Sequence, residues 1–339
     1  MKRDTTILAI ETSCDETSVA IIAEGRHILS NIISSQIKVH QEYGGVVPEI
    51  ASRKHLESIV PVVKQAFHQA DCSFNDINGV AVTYGPGLVG ALLVGLSFGK
   101  AASYALGVPL IGINHLVGHL YAGFLEDPDV EFPLIGLVVS GGHTSIIYIP
   151  RHGQFHVLGQ TRDDAAGEVL DKVARAMGLG YPGGPKIEVA ALSGDPNRYE
   201  FPRAWLEKDS LDFSYSGLKS SLLNFIHNAE QRNETISIND IAASFQEAVI
   251  EVLVEKTAAA ALKMKVNTVL LAGGVAANER LRLRLHDRLE EYGIRMVVPP
   301  SELCTDNGAM IGCAAYYKMG NSHFSDLFLN ALPNLGLEK

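Results

Sequence analysis

One succession of segments occurs twice along the chain, and it limits the fold more than any other feature. The first half opens with an apolar run at 7–10, a polar turn at 11–16, an apolar run at 18–22 and a further strand-like stretch at 27–34. The second opens with 134–140, the turn Gly141-Gly142-His143, then 144–149 and 154–160. Later in the first half come 79–83, Gly85-Pro86-Gly87, an apolar helix to about Leu106, and a strand ending at Ile113. The second half answers with 268–272, Gly273-Gly274, a helix over about 277–291, 295–298, a loop at 301–307 and a closing helix from about Gly308. Two rounds of strand-strand-strand-helix-strand-helix-strand predict an α/β protein with two mixed, mostly parallel sheets flanked by helices. The expected lobes are 1–132, with the C-terminal helix around 306–325 as a candidate completion, and 133–305, with a helical insertion around 185–265. Such sheets bind ligands beyond the carboxyl ends of their strands. The two sets of strand ends are therefore expected to face a central cleft. The glycine turns at 85–87, 141–142 and 273–274 belong there, and their N–H groups suit phosphate.

The segment Asn114-His115-Leu116-Val117-Gly118-His119 follows the last strand of the first half. If a helix begins there, four-residue spacing puts both imidazoles on one face, one turn apart. No Glu follows the first His, so this is not the His-Glu-x-x-His pattern of zinc proteases. The matching place in the second half, 301–307, offers Asp306 where the closing helix begins. Two His and one carboxylate leave coordination positions open, as in a catalytic metal site. The set accepts Fe(II) and zinc alike. Position alone leaves two compatible roles for Asp306, metal ligand and helix N-cap, and leaves a solvent-facing or helix-packing role open for the His pair. Cys304 reads as a buried thiol rather than a soft ligand.

Composition narrows the rest. The net charge is −10, so a nucleic-acid substrate must be held by local basic patches or with a partner. Four cysteines without a Cys-x-x-Cys pair give no disulfide framework. A reducing cytoplasm fits, as does an N-terminus, Met1 to Thr6, with no signal-peptide pattern. Residues 86–99 are apolar, with Gly95 and Gly99 in Gly-x-x-x-Gly spacing, but Lys100 ends the run early. A buried core helix is expected there, not a membrane span.

The ordered motifs resemble the TsaD family, the tRNA threonylcarbamoyladenosine transferases once described as O-sialoglycoprotein endopeptidases. The resemblance rests on 10–17 (Ile-Glu-Thr-Ser-Cys-Asp-Glu-Thr), 44–49, 85–87, 114–119, 138–144 and Asp171-Lys172. It continues through 181–185, 213–219, 273–278 and 305–308. It implies a duplicated actin/Hsp70-like (ASKHA) fold and transfer of a threonylcarbamoyl group from threonylcarbamoyl-AMP to the N6 amine of the adenosine beside the anticodon, in tRNAs reading ANN codons. It implies a cytoplasmic enzyme, not membrane-bound, working with a TsaB-like paralogue and a TsaE-like ATPase. It implies one divalent ion, Fe(II) before zinc, at His115, His119 and Asp306. Val138, Val139, Ser140, Gly141, Gly142, Asp171, Gly184 and Asn278 match its adenylate positions. Where the family often has Asp, this chain has Glu188, one methylene longer at the implied ribose contact.

The donor is already activated, so positioning and preorganised charge are expected to do most of the catalysis. Asp15 in the first turn is the expected base for the attacking amine, with Glu16 second; a cap or turn salt bridge is the plainer role for both. Asp171 sits on the polar face of an amphipathic stretch at 166–177, where pairing with Arg175 is the plainer reading. Asn278 has a plainer reading too, as a helix-start residue. The segment 38–55, with Arg53 and Lys54, is a candidate tRNA contact or a solvated loop leading into a helix. Three rivals remain: a small-molecule kinase of the same fold, a metal-dependent glycoprotease, and a non-catalytic nucleotide-binding scaffold. The kinases usually carry Asp-x-Gly-x-Thr in a first turn that here has no Gly.

Overall fold

The structure, a computed structural model, describes residues 5–127, 129–207, 209–320 and 324–338. The head Met1 to Asp4, part of the segment read for a signal peptide, lies outside the described residues. Ten strands form: β1 Thr6–Glu11, β2 Glu16–Ala23, β3 His27–Ser35, β4 Gly79–Gly85, β5 Leu110–Asn114, β6 Leu134–Val139, β7 Thr144–Arg151, β8 Gln154–Gln160, β9 Thr268–Ala272 and β10 Arg295–Val297. They make two five-stranded sheets of one topology, β3-β2-β1-β4-β5 and β8-β7-β6-β9-β10. In each, the first pair is antiparallel and the later strands run parallel to the first, β1 with β4 and β4 with β5, β6 with β9 and β9 with β10.

The chain divides into two compact units. Unit 1 comprises Met1–Val130, Arg151–Gln154 and Pro299–Lys339; unit 2 comprises Glu131–Pro150 and Phe155–Val298. The sequence reading placed Pro299 to Thr305 in the second lobe; here they group with unit 1.

In unit 1, β1 is central and covered on both faces, so it is an unbroken apolar run with Ile7, Leu8, Ala9 and Ile10 wholly buried. Alternation along the strand assigns each residue its layer. Leu8, Ile10, Val19 and Ile21 pack with Ile59, Val62 and Val63 of the helix Pro48–Ala70 and Leu96 of the helix Val89–Leu106. Burial of each such side chain contributes roughly 1.5–3 kcal/mol. Ala9, Ala20 and Ile22 point the other way, toward the helix Gly308–Gly320. That helix sits close because Gly308 leaves room: a Cβ there would stand 2.6 Å from the Ala20 nitrogen.

Among the described residues, Val89–Leu106 alone is long and apolar enough to cross a membrane. Its packing gives the physical reason for that composition. Ala91, Leu92 and Leu96 are buried, a Cβ on Gly95 would meet Thr12, and one on Gly99 would meet Val82 of β4.

The chain leaves β5 directly into the helix His115–Glu126, which Asn114 caps by accepting the Leu116 N–H at 2.9 Å. The other end of the Asn114 side chain donates to the Gly336 carbonyl. The C-terminal segment thereby lies along the outer edge of the sheet, with Ser325 N–H bonded to the Leu110 carbonyl and Leu332 N–H to that of Tyr84.

In unit 2, every residue of β6 and β9 is buried. The helices Gly183–Ala191, Ser216–Gln231 and Ile238–Met264 occupy the expected insertion. The helix expected from about Ala277 starts two residues later: Gly274–Ala277 form a 3-10 turn and the α-helix runs Glu279–Glu290. Asn278 ends the first and caps the second, accepting the Leu281 N–H.

Candidate metal centre

His115 opens its helix and His119 follows one turn later, on the same face; their rings meet edge-on at 4.6 Å. Asp306 closes the group. Its Oδ1 lies 3.1 Å from His119 Nε2 and 3.6 Å from His115 Nε2. One ligand atom from each of the three residues falls within 4.8 Å of the others. Asp306 reaches this place because it need not cap the closing helix. Asn307 does that, with Oδ1 accepting the Met310 N–H at 3.0 Å while its amide donates to the carbonyls of Leu303 and Thr305. Cys304 is buried with Sγ directed at the Pro299 carbonyl, outside the group.

The donor set fits a divalent metal. His119 is 1% exposed, and neither of its ring nitrogens makes a hydrogen bond. Buried polar atoms are seldom left so. A nitrogen facing a carboxylate oxygen without a hydrogen bond is arranged as a lone-pair donor. Burial disfavours a charge on His115, but Asp306 and Glu11 outweigh it and raise its pKa to about 9 in the metal-free protein. A metal taking Nε2 therefore releases a proton at neutral pH.

Sequence reading did not pick out Glu11, Ser13 or Thr83 as site residues. Glu11, at the end of β1, is wholly buried and lies 3.2 Å from His115 Nδ1. It accepts the Ser13 N–H and the Thr83 hydroxyl, each at 2.5 Å. The Ser13 hydroxyl stands 3.0 Å from the same His115 nitrogen. Burial alone would raise the Glu11 pKa; the charge and hydrogen bond of His115 reverse that and hold it low. A lone acid ending an apolar strand was the available signal.

Asp15 lies in the turn after β1 and Glu16 opens β2, in the same unit. Asp15 is buried, and its carbonyl accepts the Gln36 N–H. Glu16 accepts the Ser35 hydroxyl. Burial, then the charges of Asp15 and Asp306, push the Glu16 carboxyl well above the usual range. A carboxyl so raised exchanges its proton nearer neutrality than an ordinary one.

The residues matched to adenylate binding all lie in unit 2, around the carboxyl ends of β6 and β9. Val138 and Val139 have wholly buried side chains, so only their main chain is available to a ligand. Ser140 N–H bonds to the His143 carbonyl, holding the turn, while Gly141 and Gly142 face open space. Asp171 Oδ1 accepts the Gly183 N–H at 2.6 Å and so fixes the start of the helix that carries Gly184 and Glu188. Glu188 accepts the Glu279 N–H at 2.7 Å, and Asn278 donates to Gln246 Oε1 at 2.9 Å. Both side chains thus serve the start of the helix Glu279–Glu290, where a carboxylate is favoured. In unit 1, the basic residues Arg53 and Lys54 are each paired with a neighbouring acid, Glu49 and Glu57, which offsets their charge at the helix surface.

The sequence matches the family model described as TsaD, tRNA N6-adenosine threonylcarbamoyltransferase, over residues 27–313. It is 57% identical over 335 residues to the tRNA N6-adenosine threonylcarbamoyltransferase of Desulfitobacterium hafniense (strain Y51), covering 99% of this chain and 98% of that one. The enzyme of the same name from Moorella thermoacetica is 57% identical over 334 residues, covering 98% of each. Among solved structures, full-length HypF in its phosphate- and nucleotide-bound form superposes with a TM-score of 0.63 at 15% identity, covering 95% of this chain and 47% of that one. Component A of the Acidaminococcus fermentans (R)-2-hydroxyglutaryl-CoA dehydratase gives 0.54 at 16%, covering 93% and 99%. Likeness at that identity bears on the fold alone, the duplicated actin/Hsp70-like α/β fold.

Proposed function

The chain belongs to the TsaD family of tRNA N6-adenosine threonylcarbamoyltransferases, and from that membership we propose how its residues divide the work. The enzyme is a transferase that modifies tRNA at the N6 amine of adenosine. The donor we assign is threonylcarbamoyl-AMP, and the acceptor is the adenosine beside the anticodon in tRNAs reading ANN codons. The amine nitrogen bonds to the carbamoyl carbon, the bond from that carbon to the phosphate oxygen breaks, AMP leaves, and the amine loses a proton.

The observation that carries the metal assignment is the convergence of His115, His119 and Asp306 with two buried, unbonded ring nitrogens. A bound divalent ion, Fe(II) before zinc, supplies a Lewis acid for donor oxygens. The chain's own groups do the rest. The main chain at Gly141 and Gly142, with open space where side chains would stand, is assigned to phosphate oxygens. Asp171, Gly184, Glu188 and Asn278 are assigned to the adenosine end of the donor. Asp15 takes the amine proton, with Glu16 as the second candidate; the raised carboxyl of Glu16 supports giving it that place.

The net charge of −10 supports tRNA capture shared with a TsaB-like paralogue and a TsaE-like ATPase. The setting we assign is the cytoplasm. Reconstitution tests the whole reading: purified tRNA and threonylcarbamoyl-AMP, with and without the two partners, alongside elemental analysis of the enzyme. Modified adenosine with one equivalent of metal supports it. Unmodified tRNA in every combination overturns it.

A further inference from the structure

Among the described residues, the transfer chemistry leaves one wholly buried acid without a task. We propose that Glu11 is a positioning residue for the metal centre: it fixes the proton of His115 on Nδ1 and so presents the Nε2 lone pair to the ion. The proposal rests on reading His115, His119 and Asp306 as the ligands.

The three participants come from neighbouring strand ends. Glu11 closes β1, Thr83 lies near the end of β4, and His115 follows β5; β1, β4 and β5 are adjacent and parallel. Glu11 is 0% exposed, and a buried carboxylate is tolerated only when donors surround it. Oε1 receives the Ser13 N–H and Oε2 receives the Thr83 hydroxyl. Both are donors, the environment of an ionised group that can only accept. The third neighbour, His115 Nδ1 at 3.2 Å from Oε2, must then bring a proton as well.

Ser13 cannot make that choice. Its hydroxyl, 3.0 Å from the same nitrogen, is able to donate or to accept and so fits either tautomer. The carboxylate fits one. With Nδ1 holding its proton against Glu11, the proton that an incoming ion displaces is the one on Nε2, on the side of Asp306, 3.6 Å away. His119 has no counterpart to Glu11: both of its nitrogens are unbonded. The two imidazoles are thus unequal, one held by the protein and one held by neighbours only through packing. A carboxylate behind a ligating imidazole also raises its basicity, and losing such a partner commonly weakens metal binding about 10–100-fold.

The test uses the full-length chain and Zn(II), which is diamagnetic. In Glu11→Gln the amide offers N–H to His115 Nδ1 and favours the opposite tautomer, with the proton on Nε2. Competition titration is expected to show Zn(II) bound about 10–100-fold more weakly by Glu11→Gln, and by a smaller factor in Ser13→Ala. Nitrogen-15 spectra of the zinc-loaded wild type are expected to show His115 protonated on Nδ1 and metallated on Nε2. A thermal melt of metal-free Glu11→Gln checks its folding; should it fail, Thr83→Val, which removes one donor from the carboxylate, is expected to weaken zinc in the same direction. Wild-type affinity in a folded Glu11→Gln overturns the role of Glu11 and leaves the ligand assignment standing. Metal on Nδ1 of His115 in the wild type overturns it without any variant. A wild type that binds no zinc overturns the ligand assignment, and this role with it.

Discussion

His119 Nε2 stands 3.1 Å from Asp306 Oδ1, and no hydrogen bond joins them. A buried polar group left without a hydrogen bond costs about 1–3 kcal/mol, a deficit that a bound ion would remove. Asp306→Asn and His119→Ala are expected to lower bound metal from one equivalent by at least about tenfold. Metal above its Kd should raise the melting temperature of the wild type with the logarithm of metal concentration and leave both variants unmoved. Elemental analysis after dialysis, with melts at graded metal concentration, reads both effects. Full occupancy in Asp306→Asn would remove Asp306 from the ligand set.

Removal of a general base commonly slows a reaction about 10²–10⁴-fold. Asp15→Asn is expected to bind donor normally and to lose transfer by that order, measured by single-turnover modification of tRNA. If Asp15→Asn transfers at the wild-type rate while Glu16→Gln does not, the role belongs to Glu16.

Helix propensity alone favours Ala over Gly by about 1 kcal/mol. Gly308→Ala is nevertheless expected to destabilise by about 1–3 kcal/mol, because the new methyl would press on the backbone of β2. Urea unfolding decides the sign. A stabilised variant would mean that the closing helix packs less closely on the sheet.

His55 is buried, with Nε2 donating to the Cys14 carbonyl at 2.9 Å and Nδ1 placed 2.8 Å from the Thr17 hydroxyl. Burial chiefly lowers its pKa below 6.5. The unfolded chain therefore takes up a proton near pH 6.5 that the folded chain refuses until lower pH. The contribution of His55 is complete above that value and shrinks as pH falls through the window below it, by at most about 1.4 kcal/mol per pH unit. Urea unfolding from about pH 5 to pH 8 should show that slope in the wild type and not in His55→Asn. Equal slopes would mean that His55 is charged in the fold.

The strands were legible because central strands covered on both faces are apolar runs, and Ile7 to Ile10 and Leu134 to Val139 look like little else. The repeat made Asp306 findable: it follows β10 as His115 follows β5. What escaped was the support around the ligands. Glu11 matters through Ser13, Thr83 and His115, from three separate strand ends, and spacing along a chain cannot express that proximity. Position alone leaves the cap of the closing helix open at Asp306, because Asp and Asn are both good caps, and only the fold shows that Asn307 takes the Met310 N–H. The helix after the Gly273-Gly274 turn begins at Glu279 rather than about Ala277, because alanine suits the end of a 3-10 turn and the start of an α-helix alike.

Unit 1 is built from segments far apart along the chain, Met1–Val130, Arg151–Gln154 and Pro299–Lys339. Synthesis proceeds from the N-terminus and domains fold as they emerge, so His115 and His119 are in place long before Asp306 has been translated. A nascent or C-terminally truncated chain can present two imidazoles but cannot complete the binding set. The full set is therefore available only once Asp306 and the helix that follows it have been made.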